Sequence, residues 1–148
     1  ETRIRMADLD ATGCIHNTAL LRYLESTETE FFRALGVNFV DHFTRIGVPR
    51  VRIECNFLAP IRLDDLAVFE LRIGKLGNGS ARFDFTVMAQ GRVASKGSVT
   101  MVCINLDTGR PRAFPEDVAA ALASCIEPEP SRPIPLSDPR ASWSGYLA

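Results

Sequence analysis

The feature that most constrains this fold is a helical segment of about 18 residues whose apolar side chains extend beyond one face. One stripe follows the i, i+4, i+7 spacing of a buried helix face and contains Leu20, Leu24, Thr27, Phe31 and Leu35. The stripe is widened by Ala19, Leu21, Tyr23 and Phe32. Asn17 or Thr18 can cap its start, and Gly36 lies where a left-handed residue ends a helix. A helix this apolar must be wrapped by other elements.

The rest of the chain has the period-two pattern of β-strands. A short strand-like segment covers residues 2–7, and alternating segments cover 50–57, 67–73, 82–87 and 92–105. Their connections are short and rich in Gly, Asn, Asp and Pro, so neighbouring strands should be antiparallel. This order predicts an α+β fold in which a five-stranded antiparallel sheet wraps around one long central helix.

Composition indicates a single domain at 1–126 and a Pro-rich tail at 127–148. The formal net charge of −1 does not favour a nucleic-acid partner, and no apolar run is long enough to insert into a membrane. Without CxxC spacing, the cysteines are expected to be free thiols rather than metal ligands; they are Cys14, Cys55, Cys103 and Cys125. Free thiols favour a cytoplasmic location.

Three motifs, in order, resemble those of one known family. Residues 8–17 read DLDATGCIHN, residues 52–65 read RIECNFLAPIRLDD, and residues 91–97 read GRVASKG, followed by GRPR at 109–112. Together they are similar to the 4-hydroxybenzoyl-CoA thioesterase family, which includes the acyl-CoA thioesterases associated with the Tol–Pal gene cluster. The similarity covers roughly residues 3–122. It implies a hot-dog fold, a homodimer or dimer of dimers that joins two sheets into one, and active sites at the dimer interface.

The resemblance implies hydrolysis of an acyl-coenzyme A thioester, with Asp10 as nucleophile or general base. Backbone N–H groups from His16 to Thr18, at the helix start, would polarise the carbonyl. Asn17 could orient water or simply cap the helix, and His16 could act in acid–base chemistry or only line the pocket. Asp10 itself could instead form an ordinary turn, and Asp8 is expected to be structural.

Substrate contacts are expected from Gly13, Thr18, Glu25, Arg82 and Lys96. The two cations would meet the phosphates of coenzyme A, which is part of the substrate, so no cofactor is required. Glu25 could also be a second catalytic carboxylate.

Three leucines of the helix are expected to line the acyl pocket or to be plain core; they are Leu20, Leu21 and Leu24. His42 is expected to be structural.

The sequence departs from the Tol–Pal type in two places. Position 16 usually has an aromatic residue and position 17 usually has His, and Glu28 stands where Arg is common. Two other functions fit the same residues. One is a hydratase or dehydratase of acyl-CoA or acyl-carrier-protein substrates that uses His16; the other is a non-catalytic acyl-CoA-binding protein.

Overall fold

The computed structural model describes residues 1–37, 44 and 46–126. Its elements, in chain order, are β1 (Thr2–Arg3), a 3-10 turn (Met6–Asp8), α1 (Asn17–Ala34), β2 (Ile46–Gly47), β3 (Arg50–Phe57), β4 (Leu66–Leu76), β5 (Ser80–Ala89), β6 (Arg92–Val102), β7 (Ile104–Asn105) and α2 (Glu116–Ala123). His42 and the tail at 127–148 lie outside the described residues.

The main sheet has five strands in the order β1-β4-β5-β6-β3, and all neighbours are antiparallel. This confirms the predicted α+β arrangement of one sheet with one long helix. A separate pair, β2 with β7, was not predicted, because the sequence pattern continued through Cys103 while the chain leaves the main sheet at Val102. The helix α2 was also not predicted. Its Val118 and Leu122 pack into a cluster of buried hydrophobic residues.

The helix α1 lies against the sheet through one side only. Leu20 and Leu24 are fully buried, whereas Thr27 and Phe31 are half-buried. A continuous polar side faces solvent in the single chain, formed by Arg22, Glu25, Ser26, Glu30 and Arg33. The sheet thus covers the apolar side of the helix, and the exposed side is polar enough to remain in water.

Both ends of α1 have defined caps. The N-cap is His16 rather than Asn17 or Thr18, since its Nδ1 accepts a hydrogen bond from the Thr18 N–H at 3.1 Å. At the other end Gly36 has φ 74°, as predicted for a left-handed position. The N–H groups of Gly36 and Val37 bond the carbonyls of Arg33 and Phe32, both at 3.0 Å, which is a Schellman motif.

The strand β3 forms one edge of the sheet. Its alternating apolar residues are not buried in the single chain, since Val51, Ile53 and Phe57 are 59%, 48% and 39% exposed. An apolar strand at the edge of a sheet is a surface that another strand can pair with.

None of the helices in the described residues has the length and hydropathy needed to cross a membrane.

Candidate functional site

The acidic loop before α1 is a tight turn that presents Asp10 at its tip. The Asp10 N–H donates to the Cys14 carbonyl at 2.8 Å, and the Gly13 N–H donates to the Asp10 carbonyl at 3.1 Å. Gly13 has φ 75°, a conformation that strongly favours glycine. Gly13 thus shapes the loop that carries Asp10, and its contact with substrate stays a prediction.

Backbone hydrogen bonds fix this loop to both the sheet and the helix. The Ile15 N–H donates to the Ile61 carbonyl at 2.8 Å, and the His16 N–H donates to the Asp8 carbonyl at 2.7 Å. The loop is thereby held against the segment that follows β3. Its position does not depend on the exposed side chains at its tip.

The carboxylate of Asp10 is ionised, and one of its two oxygens is held by Thr12. Its Oδ1 accepts hydrogen bonds from the Thr12 hydroxyl at 2.6 Å and from the Thr12 N–H at 2.8 Å. These bonds, the hydroxyl first, lower the pKa of Asp10 below its ordinary value. The Cys14 N–H adds a further hydrogen bond that lowers the pKa, yet the side chain of Asp10 is exposed, so its carboxylate can meet a substrate or a water molecule.

Three N–H groups at the start of α1 were expected to polarise the carbonyl, and the structure leaves one of them available. The N–H of His16 is bonded to Asp8, and that of Thr18 is bonded to His16 Nδ1 and to Asn17 Oδ1, the latter at 2.8 Å. Only the Asn17 N–H lacks an acceptor among the described residues. The helix start places partial positive charge at this group.

His16 has a structural role as well as a position near Asp10. Its Nδ1 also lies 2.8 Å from the Thr18 hydroxyl, so the cap requires this nitrogen to be unprotonated. A neutral ring then carries its proton on Nε2. The side chain of Asn17 is likewise committed to the cap, through its Oδ1.

Asp8 is a structural anchor, as expected, and both Tyr23 and the 3-10 turn hold it. The Tyr23 hydroxyl donates to Asp8 Oδ2 at 2.5 Å, and the Arg5 N–H donates to the same oxygen at 3.1 Å. The bond from Tyr23 is the main cause of the lowered pKa of Asp8. This link joins the residues before the loop to the second turn of α1.

A groove of about 260 Å³ runs between α1 and the edge strand β3. Its walls are mostly apolar and include Leu21, Leu24, Ile53 and Val99. Thr18 lines one end, Glu25 lines the rim, and Glu28 with Arg50 lines the other end. Leu20 is fully buried beneath and is core rather than pocket.

The two candidate phosphate ligands lie on the opposite face of the sheet. Cross-strand register puts Lys96 between Asn56 and Thr86, and it puts Arg82 on the same face. Arg82 is paired with Asp84 through Nε and Oδ1 at 3.0 Å. Within one chain the structure therefore does not bring Arg82 or Lys96 together with Asp10.

Two contacts of the site were missed by sequence reasoning. Thr12 stands two residues after Asp10, a spacing typical of Asx turns, so its hydrogen bonds had a local signal. The buried pair of Glu28 and Arg50 had none, because the two residues are 22 positions apart and meet only when β3 packs beside α1. No group of three or more potential metal ligands is found in the described residues.

Comparison with known proteins agrees with this architecture. The profile of the thioesterase-like superfamily matches residues 4–122. The acyl-CoA thioesterase YbgC of Haemophilus influenzae is 26% identical over 123 residues, which cover 80% of this chain and 89% of the relative. The 1,4-dihydroxy-2-naphthoyl-CoA hydrolase of Prochlorococcus marinus (strain MIT 9313) is 25% identical over 124 residues, covering 78% of this chain and 82% of the relative.

Among solved structures, the 1,4-dihydroxy-2-naphthoyl-CoA thioesterase Slr0204 of Synechocystis superposes with a TM-score of 0.79. It is 16% identical, and the superposition covers 86% of this chain and 96% of that structure. This likeness confirms the hot-dog fold. Because the superfamily profile spans most of the chain, the protein belongs to the thioesterase-like superfamily.

Proposed function

We propose that this protein is an acyl-CoA thioesterase that hydrolyses an acyl-coenzyme A thioester to the free acid and coenzyme A. The observation that carries the proposal is the pairing of an exposed, ionised Asp10 with an unbonded N–H at the adjoining helix start. Acyl transfer needs both a nucleophile or base and a donor for the developing oxyanion. The activities named for the two sequence relatives support the same reaction.

In this reaction the thioester carbonyl oxygen accepts a hydrogen bond from the Asn17 N–H. The Asp10 carboxylate then promotes attack at the carbonyl carbon by one of two routes. Asp10 either attacks directly, forming a mixed anhydride and releasing the thiolate, or removes a proton from water, which then attacks. In the first route water hydrolyses the anhydride and restores Asp10. The low pKa of Asp10 keeps the carboxylate charged for either route.

The arrangement favours hydrolysis over hydration or dehydration. A hydratase of the predicted kind would use His16 as its base, but the Nδ1 of His16 already holds the helix cap. Asp10 is also hydrogen-bonded within its loop, but its carboxylate is exposed and ionised. Gly13 and Thr18, on either side of the helix start, border the same site and are proposed to contact the thioester.

We infer that the active form is a homodimer in which β3 pairs with the β3 of a second copy. The exposed apolar side chains Val51, Ile53 and Phe57 and the edge position of β3 support this assembly. Such pairing would join two sheets and place the groove beside α1 at the interface. Isologous pairs of this kind are the commonest closed assembly.

For the phosphates of coenzyme A we propose Lys96 before Arg82. Arg82 is already neutralised by Asp84, whereas Lys96 forms no ion pair within the described residues. We also propose a cytoplasmic location, since the four cysteines are free thiols. Neither the tail at 127–148 nor its boundary with the domain at 1–126 enters this mechanism.

The test is a thiol-release assay over a panel of short, long and aromatic acyl-CoAs with Asp10→Asn beside the wild type. Asparagine keeps the size of the side chain but removes both nucleophile and base. Turnover should fall at least about a hundredfold with little change in KM. Asp107→Asn, which removes an exposed carboxylate from a remote turn, is the matched control and should match the wild type.

Two outcomes would contradict the proposal in different ways. If Asp10→Asn retains turnover while Glu25→Gln abolishes it, the catalytic carboxylate lies on the helix. If the wild type binds acyl-CoAs but cleaves none, the protein is a binding module rather than an enzyme.

A further inference from the structure

The groove between α1 and β3 ends at a buried carboxylate for which the proposed reaction has no use. Glu28 is 2% exposed, and its Oε2 accepts hydrogen bonds from Arg50 Nε at 3.0 Å and from Arg50 Nη2. Burial raises the pKa of Glu28, and the Arg50 guanidinium opposes that rise. A buried charge of this kind costs stability unless it is well paired, so its retention calls for a reason.

One oxygen of Glu28 remains available to a ligand. Both bonds from Arg50 go to Oε2, and among the described residues Oε1 has no hydrogen-bond partner. No fully enclosed side-chain oxygen or nitrogen in the described chain lacks a partner, so Oε1 must reach the surface of the groove that Glu28 lines. It is an acceptor at the end of a mostly apolar channel.

Arg50 holds Glu28 at this position with part of its donor set. Its Nε and Nη2 are committed to Glu28, and its Nη1 donates to the Val48 carbonyl at 3.3 Å. Glu28 therefore offers the groove a carboxylate acceptor beside the Arg50 guanidinium. This acceptor favours a ligand end that donates a hydrogen bond over a plain alkyl end.

The distance along the helix sets the length of the matching ligand. The groove follows α1 from Thr18 to Glu28, ten residues apart, which is about 15 Å at the helical rise. A hydrogen bond to Glu28 takes about 3 Å of this span. At roughly 1.2 Å per bond, as in an extended chain, the remainder corresponds to about ten bonds.

We propose that Glu28 is a specificity residue that binds the terminal hydroxyl of an ω-hydroxyacyl group of about ten carbons lying along this groove. The assignment rests on the proposed function, because it places the thioester at the start of α1, beside Asn17. The apolar walls bury the methylene chain, and Glu28 accepts the hydroxyl proton at its far end. Arg50 holds Glu28 in place as a positioning residue.

The first test needs no variant. The thiol-release rates of the wild type are compared for decanoyl-CoA, ω-hydroxydecanoyl-CoA and ω-methoxydecanoyl-CoA. The hydroxyl compound should have the highest kcat/KM, by at least about tenfold over the methoxy compound, which has the acceptor but no donor. The preference should vanish for ω-hydroxyhexanoyl-CoA against hexanoyl-CoA, since that chain is too short to reach Glu28.

A second test moves the hydrogen-bonding character of residue 28. In Glu28→Gln the amide oxygen can face Arg50 and the NH₂ group can face the groove, so the pocket offers a donor. The preference for hydroxyl over methoxy should then fall to about one. Glu30→Gln, which changes an exposed carboxylate on the same helix outside the groove lining, should keep the wild-type preference. Thermal unfolding reports whether Glu28→Gln folds; if it does not, the wild-type rates decide.

Equal kcat/KM for the hydroxy, methoxy and plain decanoyl compounds would overturn the role of Glu28 and leave thioesterase activity standing. A preference that survives unchanged in a folded Glu28→Gln variant would also overturn it. If no acyl-CoA of any kind is cleaved, the proposed function fails, and the assignment of Glu28 fails with it.

Discussion

The bond between Tyr23 and Asp8 offers the sharpest test of how the site is held. Replacing Tyr23 with Phe removes only the hydroxyl that donates to Asp8 at 2.5 Å. The ring itself should stay, because it packs against Phe69 with centroids 5.7 Å apart, a contact that Phe can keep. Any loss of stability in Tyr23→Phe therefore measures the hydrogen bond.

The expected loss at neutral pH is about 1.5 kcal/mol. A hydrogen bond to a charged group contributes roughly 1.5–3 kcal/mol. The lower end of this range applies, because Asp8 still accepts the hydrogen bond from the Arg5 N–H at 3.1 Å. The ion pair with Arg22, a side chain that is 62% exposed, adds little in either protein. For a chain of this size the change corresponds to a fall of about 5 °C in Tm.

The pH dependence gives the diagnostic sign. Tyr23 is the main cause of the lowered pKa of Asp8 in the folded state. Such a group contributes stability above its unfolded pKa, about 3.9, and this stability is lost as the pH falls through the folded pKa. The difference between wild type and Tyr23→Phe should thus be full at about pH 7 and smaller at about pH 3.

The assay is urea unfolding followed by circular dichroism at both pH values. An equal loss at both, or no loss at neutral pH, would refute the charged hydrogen bond as the link that anchors Asp8.

Two further predictions concern the catalytic loop and the edge strand. Thr12→Val removes the hydroxyl that most lowers the pKa of Asp10, so the acid limb of the kcat/KM profile should move to higher pH; an unmoved limb would mean that another group controls it. Ile53→Asp places a charge on the exposed apolar side of β3 and should convert the dimer to a monomer in sedimentation, whereas Leu106→Asp, on an equally exposed leucine of a remote turn, should not. A wild type that sediments as a monomer would contradict the pairing of β3.

The sequence could predict what depends on local chemistry. The loop with Asp10, the end of α1 at Gly36 and the strands of the sheet all follow from turn residues and hydrophobic periodicity within a few positions. The cap was assigned to Asn17 or Thr18, one or two residues too late, because histidine is a less common cap than Asn or Thr.

What could not be predicted depends on which segments meet in space. Alternation in β3 indicates a strand with an apolar side, but it cannot say that this strand is at the edge of the sheet, with Ile53 about half exposed. Likewise Arg82 and Lys96 were suitable cations by type, yet strand alternation sends both to the face opposite α1. The sequence pattern could not show whether Glu28 is buried or exposed, because its partner Arg50 lies 22 positions away along the chain.

Two carboxylates on the same side of the molecule acquire different properties from different surroundings. Asp10 is exposed and accepts two hydrogen bonds from Thr12. These bonds lower the pKa of Asp10 and keep it charged at the helix start. Glu28 is enclosed at the far end of the groove, where burial raises its pKa and Arg50 holds it in place. Environments that shift the pKa values of two carboxyl groups in opposite directions separate the roles of those groups. The exposed group is suited to attack on a thioester, and the enclosed one is suited to recognition of the acyl end.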